Sequence, residues 1–445
     1  LHDRIFGISL NKGLKMREKA VDKKSKKNKL FSHEGIDISI IFIAVFLSIF
    51  CLVFVYSALA FEDGASKTYL NVLTLKFSDR SLFKTLVYIV IGLGGMLAFS
   101  LINFKELKDK PVIGKFLFNP IPYYILTCAM FIFIEIMKHV GSDVGGETEK
   151  SALVGGGFLL KANGAYRWIH IPGINFSFQP SEVSKFLLII CFAIVIYNAG
   201  MCLKHKRGII LYLILAAIPS FLILKCSSDL SSSLVVFGIL FVMMFVAAPD
   251  VKNSLTVLAV IAVILVLAFG FLIAANHGKE EADIHPYQAK RLLAWLYPED
   301  YPASADQTNQ AMYAIGSGGY LGEGIGNSMQ KIKKLPEAQN DMIFALICEE
   351  LGFVGGLVVI LLYLVLIARM YMIAQNTDSL FDRMIVVGVI SHVALQVIIN
   401  ICVVTRLFPN TGIPLPLISS GGSSILFMYL ELGLVLNIGK SIERR

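Results

Sequence analysis

Residues 254–275 read SLTVLAVIAVILVLAFGFLIAA, a run without one charged side chain. A helix of that length rises about 33 Å, enough to cross the hydrocarbon core of a bilayer. Nine further apolar runs fall at 37–60, 82–103, 119–137, 182–200, 208–225, 232–248, 342–368, 385–405 and 424–439. Only 16% of the 445 residues are charged and 56% are hydrophobic, whereas soluble domains carry about 25% charged residues. Mean hydropathy is +0.70. The chain is therefore read as an all-α polytopic membrane protein of about ten transmembrane helices. A large extracytoplasmic loop, 276–341, joins the seventh to the eighth.

The formal net charge of +8 would suggest nucleic acid in a soluble protein. Here the cations gather in an N-terminal arm around Lys23, Lys24, Lys26, Lys27 and Lys29 and in short connections. The latter hold Lys105/Lys108/Lys110/Lys115, Lys204/Lys206/Arg207, Lys252, Arg369/Arg383 and Lys440/Arg444/Arg445. That is the positive-inside pattern, so both termini are placed in the cytoplasm and no nucleic-acid partner is expected. The division is a basic cytoplasmic arm at 1–35, a membrane domain at 36–440 and a cytoplasmic tail at 441–445. The first apolar run is too long for a cleaved signal and reads as an anchor. Met16 is a candidate start, which would leave residues 1–15 upstream of it. The seven cysteines form no CxxC or other metal-ligand spacing, which argues against a disulfide or zinc framework.

Three outward segments concentrate polar, Gly and Pro residues. In the first, NGAYRWI (163–169) continues to FQPSEVSK (178–185). Pro180 suits the first turn of a helix, Ser181 and Glu182 mark its start, and Lys185 lies a turn further in. Arg167 beside Trp168 fits either an interfacial anchor or recognition of an anionic headgroup by a guanidinium fork. The second segment runs from His285 through Arg291, Trp295, Asp300, Gln307 and Gln310. It continues into GSGGYLGEGIGNSMQK (316–331), LPE (335–337) and Asp341. Its glycines permit close backbone approach and positive-φ turns but form no P-loop frame. The third, PNTGIPLPLISSGGSS (409–424), leads into the last helix. Glu135, Lys185, Glu349, Glu350 and Glu431 fall within apolar spans, where each costs about 2.5–3.5 kcal/mol at a helix centre. Most should therefore face protein or water.

Three stretches, NGAYRWI…FQPSEVSK, AIGSGGYLGEGIGNSMQKIKKLPEAQNDMIFALICEELG and PNTGIPLPLISSGGSS, resemble the SEDS family (FtsW/RodA/SpoVE), over roughly residues 36–440. The wording GNSMQK…LPEAQND is closer to FtsW and SpoVE than to RodA. The resemblance implies a bacterial cytoplasmic-membrane enzyme that polymerises peptidoglycan. It would transfer the growing undecaprenyl-diphosphate-linked glycan strand onto lipid II at the outer face, in division or sporulation. It also implies partnership with a class B penicillin-binding protein, a transpeptidase, among divisome-type membrane proteins. The family's catalytic Asp lies in the large outer loop as Pro-x-x-Asp-Pro ahead of two glutamines. Asp300, ahead of Gln307 and Gln310, inherits that role. Two departures stand out. Tyr301 replaces the Pro after the Asp, leaving Glu299 or Asp306 as substitutes. SSDLSS at 227–232 replaces a QPDLGT-type motif and keeps Asp229 and Leu230.

The chemistry asks for one base, to take the proton of the attacking sugar hydroxyl, because the diphosphate leaves as an anion. Cations should hold that diphosphate, and Arg167, Lys185, Arg291 and Lys331 are the candidates. Gln307, Gln310, Glu337 and Ser423 complete the substrate-facing set. A divalent cation, Mg2+ or Mn2+, is a further candidate, although no carboxylate cluster specifies its site. The competing readings are a lipid II flippase, needing the same polar path but no base, and a non-catalytic scaffold for the penicillin-binding protein. A generic secondary transporter fits less well, because no paired broken helices appear in two halves.

Overall fold

The computed structural model describes residues 37–59, 80–102, 114, 117–139, 151–154, 158–162, 165–171, 176–200, 202–279, 281, 284, 287–332 and 335–443. The N-terminal arm, Lys105, Lys108, Lys110, Lys115, His285, Arg444 and Arg445 lie outside the described residues.

Among the described residues ten helices are long and apolar enough to span a membrane, as the hydropathy pattern predicts. They are α1 (Ile38–Leu59), α2 (Arg80–Leu101), α3 (Pro120–His139), α4 (Pro180–Ala199), α5 (Lys206–Ser227), α6 (Leu230–Ala247) and α7 (Val251–Asn276), then α11 (Ile343–Asn376), α12 (Leu380–Val404) and α13 (Gly422–Glu443). Without water in the bilayer core, each backbone must bond within itself, which is why the apolar runs become helices. Between α7 and α11 lie α8 (Tyr287–Leu296), α9 (Pro302–Ser317) and the single-turn α10 (Met329–Ile332). These three helices mark the loop end of the bundle.

The sequence reading anticipated no strands between α3 and α4. The structure adds an antiparallel meander there: β1 (Ser151–Val154), β2 (Leu159–Ala162), β3 (Ala165–Ile171) and β4 (Phe176–Phe178). Ile169 pairs with Phe178, and a register shift falls between Leu160 and Lys161. Buried Leu159 and the Phe133–Phe158 edge contact fix the sheet to α3.

Irregular points in the helices are each compensated. Pro219 in α5 offers no N–H to Leu215, and the Tyr124 hydroxyl donates to that carbonyl at 3.0 Å. In α11 the helix breaks at Gly352, where φ is +69° and ψ −168°. The freed carbonyls of Glu349 and Glu350 accept from the N–H groups of Glu323 and Gly324, both at 3.0 Å. Gly319 and Tyr320 carbonyls accept in turn from Phe353 and Val354. A Cβ on Gly352 would stand 2.4 Å from the nitrogen of Gly322, and one on Gly322 would stand 2.3 Å from the carbonyl oxygen of Glu350. The glycine-rich motif is thus a backbone clasp onto the head of α11.

The intramembrane ionisable groups also find partners. Glu349 accepts from the N–H groups of Met329 and Gln330 and from Ser328 Oγ, capping α10. Ser57 of α1 donates to Glu350. Glu135 meets Lys138 at 2.9 Å, and Glu431 of α13 meets His392 of α12 at 2.7 Å. Arg369, placed in a cytoplasmic connection by the charge pattern, lies within α11 and binds Asp37 at the start of α1. α7 leaves Val260, Val263, Val266, Leu267 and Phe271 exposed, a face suited to lipid.

Candidate functional site

Two polar clusters meet at the loop end. The first is built on three helix starts. Gln179, the N-cap of α4, donates through Nε2 to Asp229 at 3.2 Å and through its backbone N–H to Ser423 Oγ at 3.4 Å. Asp229 caps α6 by accepting from the N–H and Oγ of Ser232, and Ser423 lies in the first turn of α13. Deeper along α4, Lys185 Nζ meets Glu182 Oε1 at 2.7 Å, with side chains only 2% and 3% exposed. Each charge makes the other tolerable in the apolar interior, and Glu182 also faces the positive end of the α4 dipole. Lys185 is therefore a neutralised cation rather than an open one. Ser181 Oγ and Glu182 Oε2 are buried with no hydrogen-bond partner, so this corner keeps bonding capacity to spare.

Arg167 on β3 reaches the carbonyl of Ser228 at 3.5 Å, and Gln288 of α8 reaches the same oxygen at 3.5 Å. Ser228 closes α5 in the left-handed region, φ +52°, which turns its carbonyl outward from the helix end. The sheet, α8 and the α5–α6 turn thus converge on one acceptor.

The second cluster is centred on Gln307 of α9. Its Nε2 donates to both oxygens of Asp341, at 3.3 and 3.5 Å, and its Oε1 accepts from Asn410 Nδ2 at 2.6 Å. Arg291 of α8 donates to the carbonyl of Asn410 at 3.2 Å. Asn400, buried in α12, holds the carbonyls of Asp341 and Ile413, both at 2.8 Å. Desolvation, reinforced by the nearby Glu337 charge, pushes the Asp341 carboxyl up to about 7, while Arg291 and the Gln307 hydrogen bond act in the opposite sense. Ser231 of α6 donates to the carbonyl of Thr411, joining the two clusters into one polar floor.

Asp300 lies on the turn between α8 and α9, exposed to solvent. The turn is pinned from beneath. Tyr301, where the family pattern has Pro, is buried with Ile284, Ala289, Leu293, Ala294 and Ala305, against Ile273 of α7. Trp295 donates to the carbonyl of Arg406 at 2.9 Å, and Arg406 reaches back to Asn309. The substitution at 301 thus replaces a stiff residue with a buried anchor.

Of the residues singled out from sequence, Arg291 and Gln307 come together in the second cluster, with Glu337 exposed at its edge and bonded to Asn340. Lys185 and Ser423 belong to the first cluster and Arg167 borders it. Gln310 turns away to Asp306, at 2.8 Å, which occupies that carboxylate, and Glu299 is exposed beside Asp300. For Lys331 only the backbone is described, within α10. Among the described residues no three His, Cys, Asp or Glu side chains converge as a metal cage. Sequence reasoning passed over Asn400 and Asn410 and gave Asp341 no role. An Asn inside the apolar run at 385–405 was the available signal, since such a residue needs a partner.

A family model described as a cell cycle protein, FtsW/RodA/SpoVE, matches residues 151–444. The chain belongs to the FtsW/RodA/SpoVE family. Every residue of both clusters lies inside the segment that carries this FtsW/RodA/SpoVE match. Among individual relatives, Stage V sporulation protein E of Bacillus subtilis is 38% identical over 287 residues, covering 64% of this chain and 74% of that protein. The probable peptidoglycan glycosyltransferase FtsW of Geobacter metallireducens is 30% identical over 414 residues, covering 92% and 96%. In fold, this FtsW/RodA/SpoVE chain resembles one solved in a peptidoglycan synthase complex that coordinates polymerization and crosslinking. That likeness has a TM-score of 0.65 at 23% identity, covering 91% of this chain and 98% of the other.

Proposed function

We propose that the chain is a peptidoglycan glycosyltransferase, moving the growing glycan strand onto lipid II at the outer face of the cytoplasmic membrane during division or sporulation. The carrying observation is a single carboxylate, Asp300, on a pinned turn that opens the helix holding Gln307 and its hydrogen-bonded cluster. Among the described residues, Lys204, Lys206, Arg207, Lys252, Arg383 and Lys440 fall at the opposite end of the bundle from that turn, which supports a loop end facing outward and cytoplasmic termini. A class B penicillin-binding protein is the partner that suits a polymerase whose product must be crosslinked.

The acceptor sugar hydroxyl attacks the anomeric carbon of the lipid-linked donor. As the new C–O bond forms, the bond from that carbon to the diphosphate breaks, and its electron pair stays on the departing oxygen. Asp300 takes the hydroxyl proton, and the single displacement turns an α-linked donor into a β-linked product. Arg291 and Arg167 stabilise the departing diphosphate, using donors already oriented by backbone carbonyls. Lys185 contributes through the Lys185–Glu182 pair, whose spare carboxylate oxygen can accept a substrate hydroxyl.

Purified protein supplied with lipid II in liposomes tests the reaction class. Glycan polymer is the expected product. Movement of the lipid II headgroup across the bilayer without polymer would support a flippase instead.

A further inference from the structure

Asp341 is a titratable group to which the mechanism above gives no task. It is only 6% exposed, and the Gln307 amide covers both of its oxygens. Substrate therefore meets its neighbours first, which makes it a poor proton acceptor for a sugar hydroxyl. Its position beside Arg291 is another matter. A Cβ on Gly412 would lie 3.7 Å from both Arg291 Nη1 and Asp341 Oδ2. Residue 412 is an exposed glycine, so the Arg291 guanidinium and the Asp341 carboxylate both border the surface position that a side chain there would fill. The groups around that position are held from several elements: Asn410 steadies Gln307, Asn400 steadies the Asp341 backbone, and the Asn410 carbonyl steadies Arg291.

We propose that Asp341 is a positioning residue whose protonation sets how much of the Arg291 charge is offered to the diphosphate of a lipid-linked substrate. This rests on the polymerase reading for the identity of that substrate. Among the described residues, the charged groups facing Asp341 are Arg291 from α8 and Glu337 from its own connection. α9 presents Gln307, α12 presents Asn400 and the 405–421 connection presents Asn410, all uncharged. Arg406 is engaged with Asn309, and Glu349 of α11 caps α10. An ionised Asp341 competes with the ligand for Arg291 and repels its negative charge, whereas a protonated Asp341 does neither. With its carboxyl pushed up to about 7, the competition switches on near neutrality. Binding of a dianion then takes up a proton, so affinity falls as the pH rises.

The test is a dissociation constant measured against pH with lipid II whose acceptor hydroxyl is capped, which prevents turnover. Its diphosphate is a diester, so the ligand charge stays constant across the range. The expected result for the wild type is binding about threefold to tenfold weaker at pH 8.5 than at pH 6.5. Asp341→Asn should bind at both pH values as the wild type does at the lower one. Arg291→Gln should bind weakly at both. An unchanged wild-type constant across that range overturns the proposal, as does an Asp341→Asn protein with the wild-type slope. If Asp341→Asn does not fold, the wild type and Arg291→Gln still decide. A turnover loss of a hundredfold or more in Asp341→Asn with the slope intact would instead make Asp341 the base. Failure of the polymerase reading appears separately, as absence of polymer from uncapped lipid II.

Discussion

Lys185 and Glu182 are two full charges almost without solvent, 2.7 Å apart on one helix. Removing one partner strands the other in the apolar interior, which typically costs about 3–5 kcal/mol, while replacing both with apolar residues is often neutral. Lys185→Met alone should therefore lower the thermal midpoint sharply, and Lys185→Met with Glu182→Leu should recover most of the loss. Strict additivity of the two substitutions in a double-mutant cycle would show that the pair is not coupled. Asp341 makes the opposite kind of prediction. Its folded-state value of about 7 lies above the ordinary 3.8, so folding favours the protonated acid. That stability is complete below about pH 4 and is lost as the pH rises through about 7. A shift of about three units sets an upper limit of about 4 kcal/mol. Asp341→Asn should flatten the decline of thermal midpoint between pH 5 and pH 8, and an unaltered decline would assign it to another group.

At the scale of elements, the clasp between the glycine-rich segment and the head of α11 is the most exposed to a single change. A methyl group at Gly352 meets the backbone of Tyr320 and Gly322 and would sit at φ +69°, ψ −168°, a region essentially restricted to glycine that costs an L residue roughly 1–3 kcal/mol. Gly352→Ala should lower stability by at least that much and open residues 318–326 to proteolysis, and an unchanged cleavage pattern would contradict the clasp. The membrane helices were legible because each carries its own cause, an apolar run of bilayer length. α11 outran its expected end at 368 because the amphiphilic turns through Asn376 continue the helix beyond the apolar run. The sheet was not legible: its strands are three to seven residues long, too short for alternation to stand out among Gly and polar residues. Asp300, Arg291 and Gln307 were found because they share one segment. Asp341 was missed because its role depends on α8, α9, α12 and the 405–421 connection folding around it, and no local spacing records that.

For the whole molecule, orientation comes first. Tyr320, 82% exposed at the loop end, and the exposed native Cys202 beyond α4 sit at opposite ends of the bundle. In intact cells an impermeant maleimide should label Tyr320→Cys and spare Cys202. Labelling of Cys202 with protection at 320 would invert the topology and remove the active site from the side where a cell wall grows. On the polymerase reading the chemistry rests on Asp300: Asp306 accepts from Gln310, Asp341 is covered by Gln307, and Glu299, exposed beside Asp300, is the neighbouring carboxylate left as a substitute. The most direct check is the initial rate of glycan formation from lipid II by purified wild type and Asp300→Asn, compared at equal folded protein and saturating substrate. Loss of the base should slow polymerisation about a hundredfold or more while lipid II still binds. A variant that makes polymer at the wild-type rate would contradict the assignment outright.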